Sequence, residues 1–161
     1  MHTRFGRIAA LLAAAILTFG NPPAAAADDA TSSDASAHVL QAEIALHRME
    51  YLKAAREYRL AAEKSSSVDI ASQATRIGSI YGFNDEALRA ARRWVELEKD
   101  SDVALFYLAR LQLRTGDLRA ARRSYRQLVE RGDPEEQLLS LMAVFGEEDP
   151  EAAYEVMKAL A

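Results

Sequence analysis

Three segments of this chain align on one another at a period of 33 to 34 residues, and nothing else in the sequence restricts the fold as much. They are MEYLKAAREYRLAAEKS from Met49, GFNDEALRAARRWVELEKD from Gly82 and GDLRAARRSYRQLVERGD from Gly116. A beat of that length belongs to helix-turn-helix units, each with an apolar face that it cannot bury alone. From Ala37 onward, apolar residues recur at helical spacing and are interrupted every dozen or so residues by Gly, Asn, Asp or Pro. No alternating strand pattern occurs.

The residue types within one unit follow from packing. In the third, Ala104, Leu105, Leu108 and Ala109 stripe a first helix, Gly116-Asp117 closes it and caps the next, and Ala121, Tyr125 and Leu128 form the facing stripe. Small residues suit a close helix crossing, and a large aromatic one turn later fills the space beside it. Ala54, Tyr58 and Ala61 repeat the arrangement. The second unit keeps Ala87 but has Ala91 at the aromatic position and Trp94 three residues on, which shifts its bulk by about one turn. A fourth, atypical pair is expected from Asp133-Pro134-Glu135-Glu136 and Asp149-Pro150-Glu151, each an N-cap followed by Pro at the first helical position.

On these residues the chain resembles the tetratricopeptide-repeat family, whose repeat places small residues, a Gly-Asp turn and an aromatic at these offsets. The resemblance spans roughly residues 35 to 131 as three repeats. It implies an all-α, right-handed α-solenoid of helix-turn-helix repeats, in which first helices line a concave groove and second helices form the convex face. In that register Val39, Glu43, Leu46 and His47, then Ser72, Arg76 and Ser79, then Phe106, Arg110, Leu113 and Arg114 fall on the concave side. Partner binding is expected from Glu43, His47, Arg76, Phe106, Arg110 and Arg114. Three guanidiniums and an aromatic there suit the carboxylates of an acidic segment, unless the arginines are solvated or paired with the chain's own acids. The Lys and Asn of the family's carboxylate-clamp subset have no counterpart here, so a receptor for chaperone tails is not implied.

A second regularity lies on the other helices. Arg56 and Arg59, Arg89 and Arg92, and Arg123 and Arg126 occupy the same two places of each second helix. Such a basic ladder either contacts anionic lipid headgroups or an acidic partner, or is a solvated face balanced by Glu57, Glu63, Glu96 and Glu130.

The N-terminus has the layout of a secretory signal peptide. Arg4 and Arg7 precede an apolar run from Ile8 to Phe19, followed by Asn21-Pro22-Pro23 and Ala24 to Ala27. That run is about a dozen residues long, short of the roughly 20 that span a bilayer, so no stable membrane anchor is expected. The expected organisation is therefore a signal peptide over 1–27, a small, polar, flexible leader over 28–36, and the repeats over 37–161. Without residues 1–27 the chain carries 18 basic and 24 acidic groups, a net charge of −6, which disfavours nucleic-acid partners. The absence of cysteine excludes disulfides, thiolate metal sites, a Cys nucleophile and a lipid-modified cysteine anchor. An exported protein, periplasmic or secreted, is the expectation.

Catalytic chemistry has no visible carrier. His38 and His47 lie half a turn out of phase on one helix; no phosphate-cradling Gly loop, nucleophile elbow or HExxH stretch occurs. Capping accounts for Glu147-Glu148-Asp149 before Pro150 and for Ser65-Ser66-Ser67 between helices. No cofactor is expected. Two functional readings stand: a non-catalytic scaffold that holds a protein or peptide partner in a cell-envelope or secretion assembly, and an accessory binding subunit of an envelope polysaccharide synthesis or export system. The apolar close, Val156-Met157-Lys158-Ala159-Leu160-Ala161, leads to the expectation that a second copy, a partner or further repeats cover that end.

Overall fold

The computed structural model describes residues 24–160, and among them every regular element is a helix. In chain order these are α1 (Ala24–His47), α2 (Tyr51–Lys64), α3 (Val68–Ile80), α4 (Asn84–Leu97), α5 (Asp102–Arg114), α6 (Leu118–Arg131), α7 (Pro134–Phe145) and α8 (Pro150–Met157). Arg4, Arg7 and the apolar run Ile8 to Phe19 of the expected signal peptide lie outside the described residues. Residues 28–36, expected as a flexible leader, are instead the N-terminal part of α1. Only two of these nine residues are Ala, so helix propensity gives little support and contacts with α2 give more: Ala35 is buried, and Lys64 at the end of α2 reaches Asp34 at 2.9 Å.

The first three hairpins close in the same way. Met49, Gly82 and Gly116 hold left-handed φ angles of 59°, 75° and 78°. One residue later, an amide reaches back five positions: Glu50 to the Ala45 carbonyl, Phe83 to Gly78 and Asp117 to Gln112, at 2.8–2.9 Å. This satisfies carbonyls that the end of the first helix would leave unpaired, and reverses the chain within two residues. Side-chain caps then start the next helices. Ser67 accepts from the Ile70 amide, Ser101 from Ala104 and Asp117 from Ala120, while Asp133 and Asp149 cap the two helices that begin with Pro.

Small residues set how closely the paired helices cross. Ala45, Ala54, Gly78, Ala87 and Ala121 are buried at matching places. A Cβ built on Gly78 stands 2.8 Å from Ala87 Cβ and 3.0 Å from its backbone, so the α3–α4 crossing requires glycine there. The aromatics fill the space beside the crossings. Tyr58 and Tyr125 are fully buried, and Trp94 is buried one turn beyond Ala91, as the displaced pattern of the second unit predicts.

Successive pairs pack on one another, α2 on α3 and α4 on α5, so the stack is an all-α repeat architecture with a shared core. One cluster joins Tyr58, Ala62, Ala71, Ala74, Trp94 and Ala104 across three pairs; another joins Leu105, Ala109, Leu113, Ala121, Tyr125 and Leu128 to Leu141 and Phe145 of α7 and Ala153 and Val156 of α8. Both α7 and α8 rest on α6, with Phe145 edge-on to Tyr125 at 4.9 Å between ring centroids.

Candidate functional site

The first helices α1, α3, α5 and α7 carry a stripe of side chains that the core does not use. Leu40 on α1, Ile80 on α3, Val103 on α5, and Leu139 and Met142 on α7 are large hydrophobics left exposed, Ile80 to 72%. Of the second helices, α4 and α6 expose none, whereas α2 exposes Leu52 and α8 exposes Tyr154. The spacings 40, 43, 47 on α1, 76 and 80 on α3, and 103, 106, 110, 114 on α5 put these apolar residues on the same helix faces as the expected partner-binding residues.

Those expected residues fare differently. Glu43 accepts a hydrogen bond from the Tyr58 hydroxyl, which in turn accepts one from Gln73 Nε2 at 2.6 Å, so Glu43 ties α1 to α2 and α3. Burial, then the bond to Glu43, pushes the Tyr58 phenol above its ordinary range. His47 is exposed and has no polar partner among the described residues. The Arg76 guanidinium lies 5.8 Å from the centre of the Trp94 ring, a cation–π contact on an exposed side chain. Phe106 is half-buried against the cluster that contains Leu105 and Tyr125 and meets Tyr107 edge-on.

Arg110 and Arg114 are engaged. Arg110 Nε and Arg114 Nε both donate to Glu148, the latter at 2.8 Å, and Arg110 Nη2 donates to Glu147 at 2.8 Å. The Glu148 side chain is only 5% exposed. Burial alone would raise its pKa, but the hydrogen bonds from Arg114 and Arg110 outweigh burial and hold the carboxyl below its ordinary value. The same contact raises Arg110 above its usual range against the opposing effect of burial. The structure therefore does not bring Arg76, Arg110 and Arg114 together as one open cluster: two are filled by the chain's own acids and the third sits on Trp94. Capping accounts for only one of the three acids before Pro150, because Asp149 caps α8 while Glu147 and Glu148 reach back to α5. A sequence signal for this pairing existed only as two acids in a turn opposite two arginines, without the register that joins them.

The arginine ladder is equally uneven. Arg59 lies between Glu86 and Glu63, both at 2.6 Å, and Arg56 approaches Glu86 at 3.5 Å. Arg89, Arg92 and Arg123 are exposed and make no ion pair among the described residues, and Arg126 meets only the Ala159 carbonyl, at 2.7 Å. The repeat explains the difference, since the place of Glu86 in the second unit is taken by Ala120 in the third. Of the histidines, His38 pairs with Glu57 at 2.8 Å, and no group of three metal-ligating side chains exists among the described residues. No helix of the described residues is long and apolar enough to cross a membrane. No protein-family model and no curated protein matches this sequence.

Proposed function

We propose that this chain is a non-catalytic scaffold of the tetratricopeptide-repeat type, exported across a membrane, that holds a protein or peptide partner against its first helices. The observation that carries this reading is the distribution of exposed apolar side chains. Leu40, Ile80, Val103, Leu139 and Met142 recur on all four first helices, while of the second helices α4 and α6 show none and α2 and α8 show one each, Leu52 and Tyr154. Apolar residues presented on successive first helices, though at different heights along them, form a contact surface that water solvates poorly, and a partner segment laid across several repeats would cover it. In the right-handed superhelix that this reading entails, the stripe lines the concave side. Arg76 and His47 supply exposed polar contacts beside it, and Phe106 supplies an aromatic edge.

Site-directed photocrosslinking tests the proposal. A crosslinker at Ile80 or Val103 in the native cell is expected to capture one discrete protein, and the same group at Gln127 on α6 is expected not to. Saturable glycan binding with no protein crosslink would replace this reading with that of a polysaccharide accessory subunit. Equal capture at Ile80 and Gln127 would refute the assignment of the face. Recovery of the protein outside the cytoplasm without residues 1–27, measured by intact mass, tests export.

A further inference from the structure

Helix α6 is basic out of proportion to the protein that carries it. It holds five arginines and a single acid, Glu130, within an acidic chain of formal net charge −4. Arg122 is paired with Glu155 and Arg131 with Asp102. Arg119, Arg123 and Arg126 are not paired with any carboxylate among the described residues. They are exposed, and their spacing of four and then three residues puts them in one stripe along the helix. Arg89 and Arg92 repeat the pattern on α4, also exposed and without an acid partner among the described residues. The ladder is thus neutralised on α2, where Glu86 and Glu63 hold Arg59, and is left as open charge on α4 and α6.

We infer that the exposed arginine ridge of α6, extended by Arg89 and Arg92, docks the protein on a bilayer surface rich in anionic phospholipid. Charge complementarity names the occupant's sign, and the lack of anything apolar narrows its class. Protein hot spots are Trp, Tyr and Arg side chains desolvated at the centre of a well-packed interface, and α4 and α6 present no exposed aromatic or other large hydrophobic to exclude water around the arginines. A sheet of mobile phosphate headgroups needs no such anchor. It is contacted by several guanidiniums at once, each with two donors aligned for phosphate oxygens. Nucleic acid offers the same phosphates, but the net acidity of the chain opposes a long polyanion more than a local, peripheral contact. The ridge sits on different helices from the proposed partner face, so the two surfaces act independently and a docked molecule keeps its first helices available.

Vesicle flotation of the full chain provides the test, using phosphatidylcholine vesicles with and without a large fraction of phosphatidylglycerol. The N-terminal apolar run would bind both kinds, so the readout is the excess on anionic vesicles and its loss as salt rises from about 0.1 M to about 1 M, where the screening length shrinks from ~10 to ~3 Å. Each arginine near an anionic surface contributes about fivefold in partitioning, so the R119Q/R123Q/R126Q variant is expected to lose about a hundredfold of that excess. Arg48→Gln, which removes one exposed charge away from the ridge, is expected to keep it. No anionic excess for the unaltered protein, or an undiminished excess for the triple variant, would overturn the inference. Tighter binding to a DNA duplex than to anionic vesicles at equal salt would overturn the choice of partner. The triple variant should still give the Ile80 crosslink, which separates failure here from failure of the scaffold reading.

Discussion

Replacing Glu148 with Gln separates a structural staple from an open binding site. In the folded chain the Glu148 carboxylate is 5% exposed and accepts from both Arg110 and Arg114, whose side chains are 22% and 26% exposed. A hydrogen bond to a charged group contributes about 1.5–3 kcal/mol, and two such bonds set an upper limit of about 6 kcal/mol. Glutamine keeps one carbonyl acceptor, and water reaches both guanidiniums, so the expected loss at neutral pH is about 2–3 kcal/mol. Glu147→Gln is the internal comparison. Its carboxylate is 69% exposed, and an ion pair of that kind contributes less than about 1 kcal/mol. The pH dependence follows from the sign of the shift. Because the folded protein holds Glu148 below its ordinary pKa, its contribution is present above the unfolded value of about 4.3 and is lost as pH falls through the folded value. Urea unfolding of the native protein and both variants at pH 7 and pH 3, with amide exchange over α6 to α8, measures this. The gap between native and Glu148→Gln should be full at pH 7 and smaller at pH 3, below the unfolded value, and lost protection should be concentrated in α7 and α8. A Glu148→Gln variant as stable as Glu147→Gln at pH 7, or a gap that does not shrink between pH 7 and pH 3, would refute the staple.

The two buried tyrosines should respond in opposite directions to loss of the hydroxyl. Tyr125 Oη is buried without a hydrogen-bond partner among the described residues, so Tyr125→Phe is expected to be neutral or stabilising, whereas Tyr58→Phe breaks the links to Glu43 and Gln73 and should cost about 1–2 kcal/mol; thermal melts in the reverse order would contradict these contacts. Gly78→Ala places a methyl against Ala87. Overpacking costs about 1–3 kcal/mol and the gain in helix propensity returns about 1 kcal/mol, so a net loss near 1 kcal/mol is expected in chemical denaturation, and a more stable variant would show that α3 and α4 stand farther apart.

What the sequence determined by itself was local or periodic. The 33-to-34-residue beat, the helix caps at Ser67, Asp117, Asp133 and Asp149, and the glycine turns at Gly82 and Gly116 all depend on interactions within a few residues of chain. The small residues at helix crossings and the buried aromatics Tyr58, Tyr125 and Trp94 were legible too, because a stacked helix pair can satisfy an apolar stripe in few ways. Met49 was less so: it takes the left-handed turn that glycine takes in the other repeats, and only the aligned beat pointed to it. The tertiary structure alone decided which charges are free. Glu148 lies 34 residues from Arg114 and 38 from Arg110, and Glu86 lies 27 from Arg59. Those pairs form because neighbouring repeats are rotated so that a turn or a first helical turn faces the previous unit, a geometry to which no local rule gives access. The same holds for residues 28–36. Their polar, acidic composition suited a leader, but the segment continues α1 alongside α2, where Ala35 is buried and Lys64 meets Asp34. Charge on a helix surface is a local property of sequence; whether it is neutralised depends on what the fold places opposite it.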